Sequence, residues 1–289
     1  MKAGRPSRTA NFVALARALA DLGLSHVPDF HDPTARFFLS DRGKRSLAKT
    51  ERLLAEGKRG FTVEGSRAMA DMLALRTTAI DNAVRQAISS GARQLVILGA
   101  GYDGRAWRLR ELEGVKVFEV DHPATQNEKR ARITALPAAK GIVTFVSIDF
   151  EREPLDAALE RAGHDVSIPT CWIWEGVVMY LTRDAMRATL ASIAGRSAAG
   201  STLIVNYHTP HRGWLARLIF RLIGEPQISA WSPEDMAADL RSVGFVVQDD
   251  SSMLDWNSRF ARSEAKVQRG FYMRVAVARL NRHGGFIAP

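Results

Sequence analysis

The chain has 289 residues, a net charge of +9 at pH 7 and one cysteine, Cys171, which excludes an intrachain disulfide. A hydrophobic fraction of 46% with 25% charged residues is that of a globular chain with ample core. The 40 lysines and arginines are scattered, which argues against nucleic acid as a partner and suits a small anionic molecule or a plain solvated surface. No run approaches the roughly 18 apolar residues of a membrane span. No apolar stretch follows the charged start Met1–Pro6, so a cytoplasmic location is expected.

In chain order, Phe12, Leu15, Leu19 and Leu22 recur at helical spacing and predict a helix over 9–23. A second is predicted over 44–57, ended near Gly57, and a long third over 65–90, stopped by Gly91. The pattern then changes. Gln94–Gly99, Val115–Asp121, Ile142–Asp149, Cys171–Trp174 and Ser201–His208 are short β-type runs separated by helical or loop stretches, which implies βαβ units and a parallel sheet. Ser232-Pro233-Glu234-Asp235 is a strong helix start, with Gly244 as the stop. Phe245–Gln248 and Tyr272–Leu280 read as final strands, the second as an antiparallel edge hairpin partner. The sequence thus predicts a helical N-terminal region over 1–91, packing on and covering a cofactor site, and a doubly wound α/β domain over 92–289 with an extra lid helix at about 209–231.

The chemistry gathers where strands end. Gly99-Ala100-Gly101 follows the first strand and precedes Tyr102-Asp103-Gly104, a turn at which backbone approaches a ligand closely. Glu119 and Asp121 follow Gly99 by 20 and 22 residues, the offset of an acid that binds ribose hydroxyls. These features fit a dinucleotide or S-adenosylmethionine. Asp103 tips the balance: beside the pyrophosphate position it would repel a diphosphate, and a sulfonium cofactor has none. Asp149, ahead of Phe150, is placed to accept an adenine amine, and Glu175, ahead of Gly176, to pair with an amino group. Arg76 lies on the apolar stripe formed by Met69, Leu73, Ile80, Val84 and Ala87. It is a structural ion-pair residue, a snorkelling guanidinium or a fork for the cofactor carboxylate. No metal site is expected.

Leu98-Gly99-Ala100-Gly101-Tyr102-Asp103-Gly104-Arg105-Ala106-Trp107-Arg108-Leu109 resembles motif I of the leucine carboxyl methyltransferase family, and more closely its bacterial branch of polyketide carboxyl O-methyltransferases. Phe118–Pro123, Trp174–Leu181, Ser7–Ala10, Ala74–Thr77 and Ile80-Asp81 are similar to other motifs of that family, and the likeness covers nearly the whole chain. The resemblance implies a Rossmann-like class I methyltransferase with a mostly parallel seven-stranded sheet, using S-adenosyl-L-methionine to methylate a carboxylate or hydroxyl of a small, anionic or aromatic molecule. It implies that Arg76 holds the methionine carboxylate, Asp121 the ribose, Asp149 the adenine and Glu175 the amino group, with Gly99, Ala100, Gly101, His122, Phe150 and Gly176 completing the cofactor site. Gly104 departs from the family, which often has threonine there; a looser turn is expected.

Methyl transfer is an in-line displacement that needs alignment and exclusion of water rather than a covalent nucleophile. A carboxylate acceptor needs no base; for a hydroxyl, His208 and Tyr180 are the candidate bases. The bland readings are a surface histidine closing a strand and a core tyrosine with a satisfied hydroxyl, and His122 also reads as a turn residue with Pro123. A protein carboxyl methyltransferase, a dinucleotide oxidoreductase and a silent cofactor-binding module are the alternatives. Oligomeric state is not readable from the sequence.

Overall fold

The computed structural model describes residues 8–58, 60–149, 153–210, 228–262 and 273–281. Helix α1 (Arg8–Leu19) runs into a tight turn over Ala20–Leu24. Helix α2 (Asp41–Ala55) begins earlier than its apolar pattern suggests, because the Ser40 side chain caps it by accepting the Gly43 N–H at 3.3 Å. Helix α3 (Phe61–Ser89) is the long one, and Gly91 turns the chain away at φ +108°.

A doubly wound unit follows. Its members are β1 (Gln94–Leu98), α4 (Arg105–Arg108), β2 (Lys116–Asp121), α5 (Pro123–Ile133), β3 (Ile142–Ser147), α6 (Leu155–Arg161), β4 (Thr170–Trp174), α7 (Arg183–Gly195), β5 (Thr202–His208), α8 (Pro233–Ser242), β6 (Phe245–Ser252), α9 (Met253–Phe260) and β7 (Met273–Leu280). The seven strands form one sheet in the order β3-β2-β1-β4-β5-β7-β6, with β1 to β5 parallel and β7 antiparallel to both neighbours. This is the expected Rossmann-like architecture with a helical N-terminal region.

One expectation is corrected and one helix was missed. β7 is not an edge strand: it lies between β5 and β6, which its mostly buried pattern requires. The edge is β6, and its polar stretch Gln248-Asp249-Asp250 lets it run on to Ser252 in that position. Helix α9 was not foreseen; it starts at a capping box in which Ser252 and Asp255 exchange hydrogen bonds. The helix expected within 209–231 falls largely on 211–227, outside the described residues. At its end Trp231 is fully buried in the core, donating its backbone N–H to the His208 carbonyl at 3.0 Å and Nε1–H to Asp239 at 3.1 Å.

Two cores sandwich the sheet, as the period of a strand dictates. Leu95, Ile97, Val117 and Ile173 face α1, α3 and α9, and Val96, Leu98, Trp172 and Leu203 face α6, α7 and α8. At about 1.5 Å per residue α3 is about 43 Å long, against about 17 Å for β1, so its N-terminal half overhangs the carboxyl edge of the sheet. The stretch from Arg76 to Ser89 spans about 20 Å, which sets Arg76 at that rim. Among the described residues no helix is long and apolar enough to cross a membrane.

Glu119 belongs to this scaffold. It is 1% exposed on the first-core face of β2, with Lys129 Nζ of α5 at 2.5 Å from Oε2. Lys129 also donates to the Asp103 carbonyl at 2.6 Å and lies over the Trp107 ring. Burial pushes the Glu119 carboxyl up to about 7, against the downward pull of Lys129. The folded chain therefore holds a proton that the unfolded chain loses above its ordinary value of 4.5, and this contribution to stability is lost as pH rises through about 7. Urea unfolding is expected to show a loss of about 3 kcal/mol from this group between those limits, and Glu119→Gln should remove it. Identical pH slopes for the two proteins would contradict the assignment.

Candidate functional site

The strand order reverses between β1 and β4, and Leu98 pairs with Val120 on one side and Trp174 on the other. In an open α/β sheet the crevice outside this switch point is where ligands bind. Asp103, Asp121, Asp149 and Glu175 arrive at this edge or just beyond it, whereas Glu119 stays inside the scaffold.

The turn after β1 is shaped by its glycines. Gly99 has φ +65°, and a Cβ there would stand 2.5 Å from Val177 Cγ2, so glycine allows the turns after β1 and β4 to approach each other. Gly101, at φ +48°, donates its N–H to Asp121 Oδ2, and the His122 N–H donates to Oδ1 at 2.6 Å. Asp121 is thus clamped between β1 and β2. Burial raises its pKa, and the N–H donors of Gly101 and His122 oppose the rise. Ala100 is held by its N–H to the Val120 carbonyl at 3.1 Å. The His122 ring caps α5, Nδ1 accepting the Ala124 N–H at 3.2 Å ahead of Pro123, so its turn-closing role is the one seen here.

Gly104 does not loosen the turn. A Cβ at this position would fall 1.9 Å from Thr34 Oγ1, so the Thr34 side chain fills the space from the opposite segment. Asp149 is half-buried two residues past β3, and Phe150 lies outside the described residues. Gly176, at φ +70°, has no heavy atom of the described residues within 4 Å of where a Cβ would stand. Tyr180 is half-buried at the end of a 3-10 turn, Val178–Tyr180. His208 ends β5 opposite Met273 and is 5% exposed, which corrects the reading of a surface histidine.

The largest feature went unread in the sequence. Arg76 Nη2 is 2.7 Å from Glu175 Oε1, and Arg105 Nη1 is 2.9 Å from Glu175 Oε2. Arg105 also grips Asp103, and its Nε is 2.7 Å from Asp81 Oδ1. Arg108 bonds the other Asp81 oxygen at 2.5 Å and reaches Asp32, which Arg17 of α1 meets at 3.4 Å. Four guanidinium groups (17, 76, 105, 108) thus meet four carboxylates (32, 81, 103, 175), and the buried network is neutral. Burial pushes Glu175 up, but Arg76 and Arg105 hold it below the usual range. In the same way Arg105 and Lys129 outweigh burial and hold Asp103 down at about 2.

Two sequence readings change accordingly. Asp103 is 7% exposed and turned onto Arg105, so its charge is neutralised inside the protein and no longer argues against a diphosphate. Arg76 is an ion-pair residue in this state. Among the described residues its Nε is nonetheless buried without a hydrogen-bond partner, and its Nη1 lies 4.0 Å from the Met273 sulfur. A guanidinium with this much unused donor capacity fits an incoming carboxylate. Arg105, Asp81, Arg108, Asp32 and Arg17 were not singled out for a site role. Asp81, a carboxylate near the apolar stripe of α3, was the available signal.

Comparison with known proteins agrees with this architecture. The family model for leucine carboxyl methyltransferase matches residues 10–194. A Frankia alni protein named, by inference, an S-adenosyl-L-methionine-dependent methyltransferase is 33% identical over 83% of this chain and 82% of its own length. A Streptomyces coelicolor protein named in the same way is 38% identical over 58% of each chain, so the match spans under two thirds of that relative. The crystal structure of a DUF574-family protein from Streptomyces avermitilis superposes with a TM-score of 0.56 at 14% identity, covering 92% of this chain and 97% of that one, a likeness of fold. On its matched length and its glycine turn, the chain belongs to the leucine carboxyl methyltransferase family.

Proposed function

We propose that the chain is an S-adenosyl-L-methionine-dependent methyltransferase that methylates a carboxylate or hydroxyl oxygen of a small molecule. The observation that carries this reading is the Arg76–Glu175 pair beside the Gly99–Gly101 turn, a positive and a negative group side by side at the sheet's switch point. That pair is complementary to the carboxylate and ammonium of an amino acid. A dinucleotide has no such end. The bound cofactor supplies an electrophilic methyl group on a sulfonium.

The chain's residues then divide the work. Arg76 takes the carboxylate, Glu175 the ammonium, Asp121 the ribose hydroxyls, and Asp149 with Phe150 the adenine, over the backbone of Gly99, Ala100, Gly101 and Gly176. His122 contributes by holding Asp121 through its N–H. The N-terminal region, 1–91, covers the site, since α3 overhangs the carboxyl edge and would exclude water from the reacting pair. Alignment supplies most of the rate. A carboxylate acceptor attacks without a base; for a hydroxyl, His208 at the end of β5 or Tyr180 after β4 would take the proton. The charge of +9 suits an anionic acceptor, and the single buried cysteine suits a reducing, cytoplasmic compartment.

S-adenosylhomocysteine is expected to raise the melting temperature by mass action, with no effect from NADP. A shift with NADP and none with saturating S-adenosylhomocysteine would refute the reading. Asp121→Ala is expected to weaken S-adenosylhomocysteine by about 1–3 kcal/mol, the loss of a hydrogen bond to a charged group. Calorimetry on the folded variant checks it, and unchanged affinity would remove Asp121 from the ribose site.

A further inference from the structure

Glu175 is held by two arginines that differ in freedom. Oε1 is on Arg76, which is 7% exposed at the rim of the crevice and has Glu175 as its one carboxylate partner among the described residues. Oε2 is on Arg105, which is 0% exposed and tied to Asp81 and Asp103 as well. An amino-acid end that places its carboxylate on Arg76 and its ammonium on Glu175 Oε1 would open the Arg76–Glu175 pair, its two charges replacing the two halves. Glu175 would then lose one counter-charge in a largely buried place, a costly state unless another cation stays. Arg105 is that cation. Its planar fork spans three carboxylates at once and leaves it no route to follow the ligand.

We infer that Arg105 is a positioning residue: it fixes Glu175 by one carboxylate oxygen so that the oxygen now on Arg76 is presented to the ligand's ammonium group. This rests on the cofactor reading above. The consequence is selectivity for adenosine thioethers that carry a free amino-acid end. A ligand without that end leaves the Arg76–Glu175 pair closed and gains nothing from it.

The test compares S-adenosylhomocysteine with 5′-methylthioadenosine, which lacks the amino-acid portion, by calorimetry on the full chain. The wild type is expected to prefer the former by about 100-fold or more. Arg105→Gln should lower that ratio by about tenfold while leaving 5′-methylthioadenosine within about threefold. Arg108→Gln, which loosens the same network at Asp81 and Asp32 without touching Glu175, should leave the ratio unchanged. If Arg105→Gln does not fold, Arg105→Lys serves: it keeps the charge, loses the fork, and should lower the ratio by about threefold or more. Equal weakening of both ligands by the Arg105 variant, or an equal fall in the ratio with Arg108→Gln, would show a purely structural role and overturn the inference. A wild type that binds neither ligand would instead refute the cofactor reading itself.

Discussion

Everything at the carboxyl edge depends on keeping charge buried there in balance. Arg105 is the centre of that balance, with no exposed surface and three carboxylate partners drawn from α3, the glycine turn and the end of β4. Removing one member of such a network strands the others, typically at about 3–5 kcal/mol. The network also runs on through Asp81, Arg108 and Asp32 to Arg17 of α1. The N-terminal helices are therefore bound to the α/β unit by ions as well as by the shared apolar core. A functional group placed in that setting is rigid, and rigidity is what an alignment-driven reaction demands.

The features legible in the sequence are those set by local chemistry. Ser232 and Pro233 announced α8 because a cap and a fixed φ act within one turn. Gly99 and Gly101 were readable because only glycine takes their backbone angles without strain. The acids closing the strands could be placed because parallel strands bring all their carboxyl ends to one edge. What could not be read was which charge meets which. Glu175 looked like a waiting carboxylate and is already held by Arg76 and Arg105, and Asp103 looked exposed to a ligand and is turned onto Arg105. Arg76 and Arg105 lie far from Glu175 in the sequence, and a spacing rule has no grip on such pairs; Asp103 and Arg105 are near neighbours, but no periodicity tells that one turns onto the other. Gly104 makes the same point, because the threonine that fills its space comes from Thr34. The interior place of β7 was missed for a related reason: alternation marks a strand and does not tell how many neighbours it has.

The pairing also reconciles the two readings of Arg76 that the sequence left open. A guanidinium on an apolar helix face needs a carboxylate, and in this state Glu175 provides it. In the proposed reading Arg76 and Glu175 are a matched pair of half-sites for an amino-acid end, so the scaffold role and the proposed ligand role do not compete. The resting pair keeps both charges satisfied.

A crystal structure of the chain grown with S-adenosylhomocysteine tests this account most directly. The account predicts the ligand outside the β1–β4 switch point, its carboxylate on Arg76, its ammonium on Glu175, and the Arg76–Glu175 distance opened from 2.7 Å while Arg105 stays on Glu175. A ligand seated elsewhere, with the 2.7 Å pair still closed, would contradict it.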